Sequence, residues 1–429
     1  MNGHRTGGPR NVRLTATELG MLHGDEGPAV ALAMRIVTGL ADAMDAPDLL
    51  PVTSAHVDSC LYHGRAGLDF AQRLVQLGGQ VRVPTTLNVG SLDLLHPELS
   101  RADAQVRTHA RSLMDAYTTL GARPTWTCAP YQSGHRPGLG EHVAWAESNA
   151  IVFANSVLGA RTARYGDFLD ICAALTGRAP RVGLHCTAAR RGTAILDVSD
   201  LPATILHAEL TYPLLGHLAG RHAGLEVPVF VGLPADTSED RLKALGSAAA
   251  SSGGVGMFHA VGITPEAPTL SAALGGADVP ARWRVRPEDL ADARRELTTA
   301  VCDRVDAVSL GTPHFSLPEF RNLAALLAED AADVTRFAAG VEVYVSTSRA
   351  VLAQAEEEGL VAPLRAAGGT VVVDTCTYVT PILRPQTRVV LTNSAKWAYY
   401  APANLGVQVV LANLAECVTS AQQGRVRLS

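Results

Sequence analysis

Three cysteines in this 429-residue chain stand beside serine or threonine where short apolar runs end: Cys60 in SAHVDSCLY, Cys128 in TWTCAPY and Cys376 in VVVDTCTYV. Thiolates from distant parts of a chain can converge on iron, and three of them leave one iron position open to a substrate oxygen. The plain alternative for a lone cysteine is a small buried hydrophobe. That description suits Cys172, Cys186, Cys302 and Cys417, whose surroundings are apolar or helical. His56 and His314 could be ligands or proton donors beside a leaving hydroxyl, although a single histidine is more often just hydrogen-bonded in place. Lys396 and Arg161 could hold a substrate carboxylate, arginine through its two-pronged fork, with surface pairing as the alternative. Residues 138–161 (GLGEHVAWAESNAIVFANSVLGAR) carry Glu141, His142, Glu147, Ser148, Asn149, Asn155 and Ser156 in a stretch otherwise apolar enough to be buried. Buried polar groups of this density must be paired or serve a ligand.

Elements that would position these residues are legible as runs. Residues 307–310, 341–345, 371–373 and 389–391 are apolar and rich in β-branched side chains. They end respectively in Gly311-Thr312-Pro313-His314, Ser346-Thr347-Ser348, Asp374-Thr375-Cys376 and Thr392-Asn393-Ser394, with Lys396 two residues on. Continuous runs of this kind read as buried parallel strands, and ligands of open α/β sheets bind beyond the strands' carboxyl ends. With helical segments over 318–329 and 349–358 between them, four successive βα-like units should deliver polar tips to one edge. The alternative is a structural block whose tips are only turns and helix caps.

Upstream, residues 49–52 read as a strand opening into Ser54, His56, Asp58 and Cys60, and 81–83 as one ending in Thr85, Thr86 and Asn88. Helices are expected over 28–44, 68–77 and 102–120, and a strand over 227–233 followed by a helix over 238–251. Signals over 165–208 are mixed, and no chemistry is placed there. The expected organisation is a flexible tail over 1–12, one catalytic region over 13–429, an internal boundary near 265–286, and a βα block over 287–429 opened by a helix over 287–304.

A chain of this length exceeds the size at which single cores stop growing, so two or three packed subdomains are expected. A net charge of −5 and no basic cluster interleaved with aromatics argue against nucleic acid as a partner. Apolar stretches are interrupted before membrane-spanning length and residues 1–11 lack a signal-peptide core, so a cytoplasmic protein with no membrane partner is expected. Seven scattered cysteines do not form a disulfide framework. Zinc-type CxxC pairs, HExxH, Walker A and GxSxG motifs are absent from the sequence.

Taken in order, SAHVDSCLY, VPTTLN, TCAPY, GEHVAWAESNAIVFANSVLGARTAR, FHAVGITPEAPT, LGTPHFSLPEF, VVVDTCTYVTP and TNSAKWAYYAP resemble the catalytic part of aconitase X over nearly the whole chain. The resemblance implies an α/β fold of aconitase-superfamily type, with several α/β subdomains around a central cleft. It implies a hydro-lyase with an iron centre, an iron–sulfur cluster such as [2Fe-2S] or mononuclear iron, on three cysteines. Cys128 and Cys376 are the ligands carried over most directly; Cys60 stands in as the third, since some relatives carry cysteine where this chain has Thr312. The swivel domain of the family finds no counterpart in the sequence, so its catalytic base is expected from a small swivel subunit in trans. Bacterial members resemble dehydratases of cis-3-hydroxy-L-proline and archaeal members dehydratases of 5-phosphomevalonate; the wider superfamily also includes an iron-sensing, RNA-binding switch. On the first reading the partner is a small hydroxy-acid substrate. Its carboxylate would meet Arg161, Ser394 and Lys396, and its proton donor would be His56, Glu147 or His314, with Ser394 also counted as catalytic. Ser54, Thr85, Thr86, Asn88, Ser148 and Asn149 would line the pocket.

Overall fold

The computed structural model describes residues 12–277, 282–328 and 336–429. The expected tail, through residue 11, lies outside them, as do 278–281 of the expected boundary and residue 329 of one expected helix.

Among the described residues, three parallel sheets follow one another along the chain. In the first, Ala55–Val57 lies between Thr85–Leu87 and Ala144–Trp145. A short antiparallel pair, Leu49–Pro51 with Arg178–Pro180, stands beside it. In the second, the order is His259–Ala260, Pro228–Val231, Ala194–Asp197, Arg282–Arg284. In the third it is Thr370–Val373, Glu342–Thr347, Ala307–Phe315, Val389–Thr392, Gln408–Leu411. The Val-rich strands of this last sheet are buried along most of their length, as strands covered on both faces must be. Helices supply cover through apolar stripes at three- and four-residue spacing: Arg349–Glu357 buries Val351, Leu352 and Ala355 in the core that holds Val343, Val345, Val371 and Val373 of the sheet.

Strand order in the third sheet fixes where a ligand can enter. From central Ala307–Phe315 the chain adds two strands on one side, then crosses to add Val389–Thr392 and Gln408–Leu411 on the other. Connections therefore diverge between Ala307–Phe315 and Val389–Thr392, which opens a crevice beyond their carboxyl ends. Gly311, at φ 83°, passes so close to the next strand that a Cβ there would overlap the Ser346 carbonyl. Only glycine combines that approach with a left-handed backbone.

Four strands of this sheet lie where the apolar runs predict them; Gln408–Leu411 is an addition. Elsewhere two expectations shift. Residues 81–83 form no strand, because the Val81 and Arg82 amides are taken by the carbonyls of Leu120 and Ala174, and the ladder begins later, at Thr85–Leu87. The helix expected over 287–304 stops at Leu297, since Thr299 and Ala300 instead donate to Val409 and cover the sheet edge.

Candidate active site

Two sheets bring their strand ends to one cavity of about 400 Å³. On the first, the Thr127 amide donates to the Leu87 carbonyl (3.1 Å) and the Asn88 amide to that of Val57 (2.9 Å). These bonds carry the chain past the ladder, so that Asp58, Asn88 and Cys128 emerge at its end. On the third sheet, Thr312 stands in the strand Ala307–Phe315, past the break in its register after Leu310, and Cys376 follows the strand Thr370–Val373. The two units are sewn together behind the cavity. Gly90 N–H donates to the Asp374 carbonyl (2.7 Å), Leu94 N–H to the Asp374 carboxylate (3.1 Å) and Val373 N–H to Asp93 (3.0 Å). Arg349 then clamps the Asp374 carboxylate with two bonds of 2.7 and 2.6 Å.

His314 joins the two thiol-bearing segments from within. Its amide donates to Cys128 Sγ (3.3 Å), Nδ1 lies 3.0 Å from Thr127 Oγ1, and Nε2 lies 3.2 Å from the Thr375 carbonyl. A carbonyl can only accept, so Nε2 carries the hydrogen and Nδ1 accepts from Thr127. Burial holds this imidazole neutral, its pKa lowered to about 4. The turns that aim the site carry backbone strain. Trp126 (φ 44°), Glu147 (φ 72°) and Asp374 (φ 63°) take left-handed conformations one or two residues before Cys128, Ser148 and Cys376. Each costs on the order of 1–3 kcal/mol and persists only where its surroundings over-determine it.

Charge in the cavity is arranged around one buried ion pair. Glu147 caps the helix Ser148–Ser156 by accepting from the Ala150 amide (2.8 Å) and binds Lys396 Nζ, which also donates to Ser148 Oγ (3.2 Å). Burial works against the Lys396 ammonium, but Glu147 and Tyr378 outweigh it and keep the lysine charged. Asp58, half-buried in the wall, is pushed up to about 7 by burial and by Glu147, against the pull of its bond from Asn88.

Of the residues singled out in the sequence, Asn88, Cys128, Glu147, Ser148, Cys376 and Lys396 line this cavity. Asn149 stands behind it, donating to the Cys128 carbonyl and to Tyr131. Ser394 does not line it. Its hydroxyl donates to the Thr312 carbonyl and accepts from Trp397 N–H, a helix cap facing a larger neighbouring cavity of about 710 Å³ that contains neither thiol. Ser348 is likewise a cap. His56 is a strand residue opposite Thr86, hydrogen-bonded to it at 2.8 Å, and buried enough that its pKa falls to about 3. Thr85 bonds to Val83, Ser54 offers its carbonyl to Ala144, and Arg161 reaches outward to His185 and Thr187. None of these five lines the cavity.

Cys60 is not brought to the cavity either. Its thiol lies against the carbonyls of Val57, Asn88 and Val89 within the core of the first unit, so the expected meeting of three thiols becomes two. Among the lining residues that were not expected as site residues are Asp58, Arg164 and Tyr165. Asp58 stands inside SAHVDSCLY, and Arg164 follows Arg161 at the end of GARTAR, so the motifs marked the neighbourhood but not the residue.

Cys128 and Cys376 fit a metal by their chemistry. Burial pushes both thiols up to about 12, so neither ionises near neutrality without a cation beside it. Thr312 Oγ1 lies on the same wall, buried without a partner. Among the described residues no group of three or more His, Cys, Asp or Glu side chains is placed to hold a metal ion.

The fold and site define an α/β enzyme of aconitase type, with thiols and a buried ion pair at the topological switch of a parallel sheet. Profiles of the Aconitase X first, second and third domains match residues 11–188, 192–295 and 305–423, and the chain belongs to the aconitase X family. It is 45% identical over 416 residues to the cis-3-hydroxy-L-proline dehydratase of Pseudomonas aeruginosa, covering 96% of this chain and 70% of that protein. Against the enzyme of the same name from Hypocrea jecorina it is 41% identical over 96% of this chain and 69% of the other. The phosphomevalonate dehydratase large subunit of Methanothermobacter thermautotrophicus is 37% identical, with 94% of this chain and 97% of that subunit covered. The solved holo-form of Thermococcus kodakaraensis aconitase X superposes with a TM-score of 0.85 at 32% identity, covering 95% of this chain and all of that one. These relatives are dehydratases, that is hydro-lyases. Among the described residues no helix is long and apolar enough to cross a membrane.

Proposed function

We propose that this protein removes water from cis-3-hydroxy-L-proline to give Δ1-pyrroline-2-carboxylate, with iron held by Cys128 and Cys376. The observation that carries this reading is the convergence of both thiols and the Glu147–Lys396 pair on one small cavity. Iron bound there would supply Lewis acidity to the departing 3-hydroxyl. The chain's own groups hold the rest of the substrate. Lys396 Nζ, fixed by Glu147 and Ser148, and Arg164 at the rim present positive charge to the substrate carboxylate. A base removes the α-proton, the carbon–oxygen bond breaks, and the hydroxyl leaves as water on gaining a proton; the enamine then tautomerises to the imine. Of the three proton donors considered, Glu147 alone lines the cavity, with Lys396 Nζ bound to it. The α-proton base comes from a small swivel-type subunit in trans, a reading supported by the relatives named as large subunits. The site of action is the cytoplasm.

The 37% identity to the large subunit of phosphomevalonate dehydratase favours a second reading, that this chain is such a subunit. A phosphate monoester asks for several cations, whereas Lys396 is already paired and Arg164 is the other Lys or Arg on the cavity. Anaerobic purification with the swivel subunit, followed by turnover assays on both compounds, separates the two. Dehydration of hydroxyproline alone is expected; turnover of 5-phosphomevalonate alone would replace the reading.

A further inference from the structure

One end of the cavity holds two acceptor oxygens that nothing among the described residues satisfies. Asp58 lines the cavity, and no lysine or arginine pairs with it among the described residues, in contrast to Glu147, which is bound to Lys396. Asn88 donates through Nδ2 to one Asp58 oxygen, which fixes the amide so that Oδ1 is its free end. That oxygen is buried without a partner, on a residue only 2% exposed that also lines the cavity. A buried acceptor left unpaired is costly, and a ligand donor is what would satisfy it. Behind Asp58, the Asp170 carboxylate accepts the amides of Asp58 and Ser59 (2.7 and 2.9 Å), which adds negative charge to this end of the cavity.

We infer that Asp58 and Asn88 form a two-acceptor seat for the secondary ammonium of a ring amino acid. A proline-type ammonium carries two N–H donors, and the seat offers two acceptors, the second Asp58 oxygen and Asn88 Oδ1. An oxygen heterocycle or a phosphate ester brings no such donors and would leave both acceptors dry, the situation in which hydrogen-bonding sites discriminate most strongly. This assignment rests on the hydroxyproline reading above and extends it: the cationic side of the cavity reads the carboxylate, and Asp58 with Asn88 reads the ring nitrogen. Both are specificity residues, of which only Asn88 was expected in the pocket lining.

The test compares equilibrium binding of L-proline and of (S)-tetrahydrofuran-2-carboxylate, in which a ring oxygen replaces the ammonium, to the full iron-loaded chain by calorimetry. L-Proline should bind at least about 100-fold more tightly. Asp58→Asn should cut that preference by about tenfold or more with little change in affinity for the oxygen ring, and Asn88→Ser by less. Equal affinities in the wild type, or binding of neither acid, overturn the seat without recourse to any variant that might fold poorly; an unchanged preference in a folded Asp58→Asn overturns it too. Turnover of cis-3-hydroxy-L-proline is measured separately, with the swivel subunit present. Turnover without a preference for L-proline removes the seat alone, and a preference without turnover removes the reaction and leaves the seat.

Discussion

The first and third sheets both place polar residues after apolar runs, yet they use them differently. In the third, regular pairing stops where the apolar run ends: Cys376 lies beyond Thr370–Val373, Thr312 lies in the irregular stretch between Leu310 and Phe315, and both line a cavity. In the first, the ladder begins where the apolar runs stop, so His56, Thr85 and Thr86 are themselves strand residues, buried and bonded to one another or to nearby carbonyls. Chemistry on this side starts a few residues later, at Asp58 and Asn88. A polar residue after an apolar run is therefore a site residue only where regular strand pairing has already stopped. In the first sheet, hydrogen bonds to Leu120 and Ala174 moved that point.

The largest expected effect of breaking this contrast falls on the ion pair. Lys396→Met leaves Glu147 buried without its partner and should cost about 3–5 kcal/mol in chemical denaturation, with turnover abolished. Adding Glu147→Gln should recover most of the stability and none of the turnover.

Acid should act next, and through the first sheet. His56 stays neutral in the fold down to about pH 3, while in the unfolded chain it takes a proton near pH 6.5. Between these values the unfolded state binds more protons. The contribution to stability is therefore complete above pH 6.5 and is lost as pH falls toward 3. His56→Gln should remove about 2 kcal/mol of the stability difference between pH 7 and pH 4.5, read from denaturation midpoints at both.

Smaller effects separate the two arginines. Arg161→Met gives up bonds to His185 and Thr187 outside the cavity and should change stability by no more than about 1 kcal/mol, with kcat and KM intact. Arg164→Met should raise KM with kcat nearly unchanged, because it removes a charge that holds substrate before and during reaction alike.

Much of the third sheet was legible because continuous Val and Leu runs admit few alternatives at that length, and its switch point then located the crevice. Cys128, Cys376, Glu147 and Lys396 could be named because each sits in a dense polar run next to a buried element. Cys60 and His56 show why the rest was not legible. Their local sequences match those of the cavity residues, and only three-dimensional bonds, to the Val57, Asn88 and Val89 carbonyls in one case and to Thr86 in the other, decide that they face inward. Asp58 illustrates the converse: two residues from each of them, it is turned to the cavity by Asn88 and by the bond from its own amide to Asp170.

The most direct test of the two-thiol cavity is iron content per chain in Cys128→Ser, Cys376→Ser and Cys60→Ala after anaerobic reconstitution, with circular dichroism as the fold control. Loss of iron and turnover in the first two, with retention of both in Cys60→Ala at a stability cost of about 1 kcal/mol, is the expected result. A folded Cys376→Ser that keeps full iron and full turnover would contradict it.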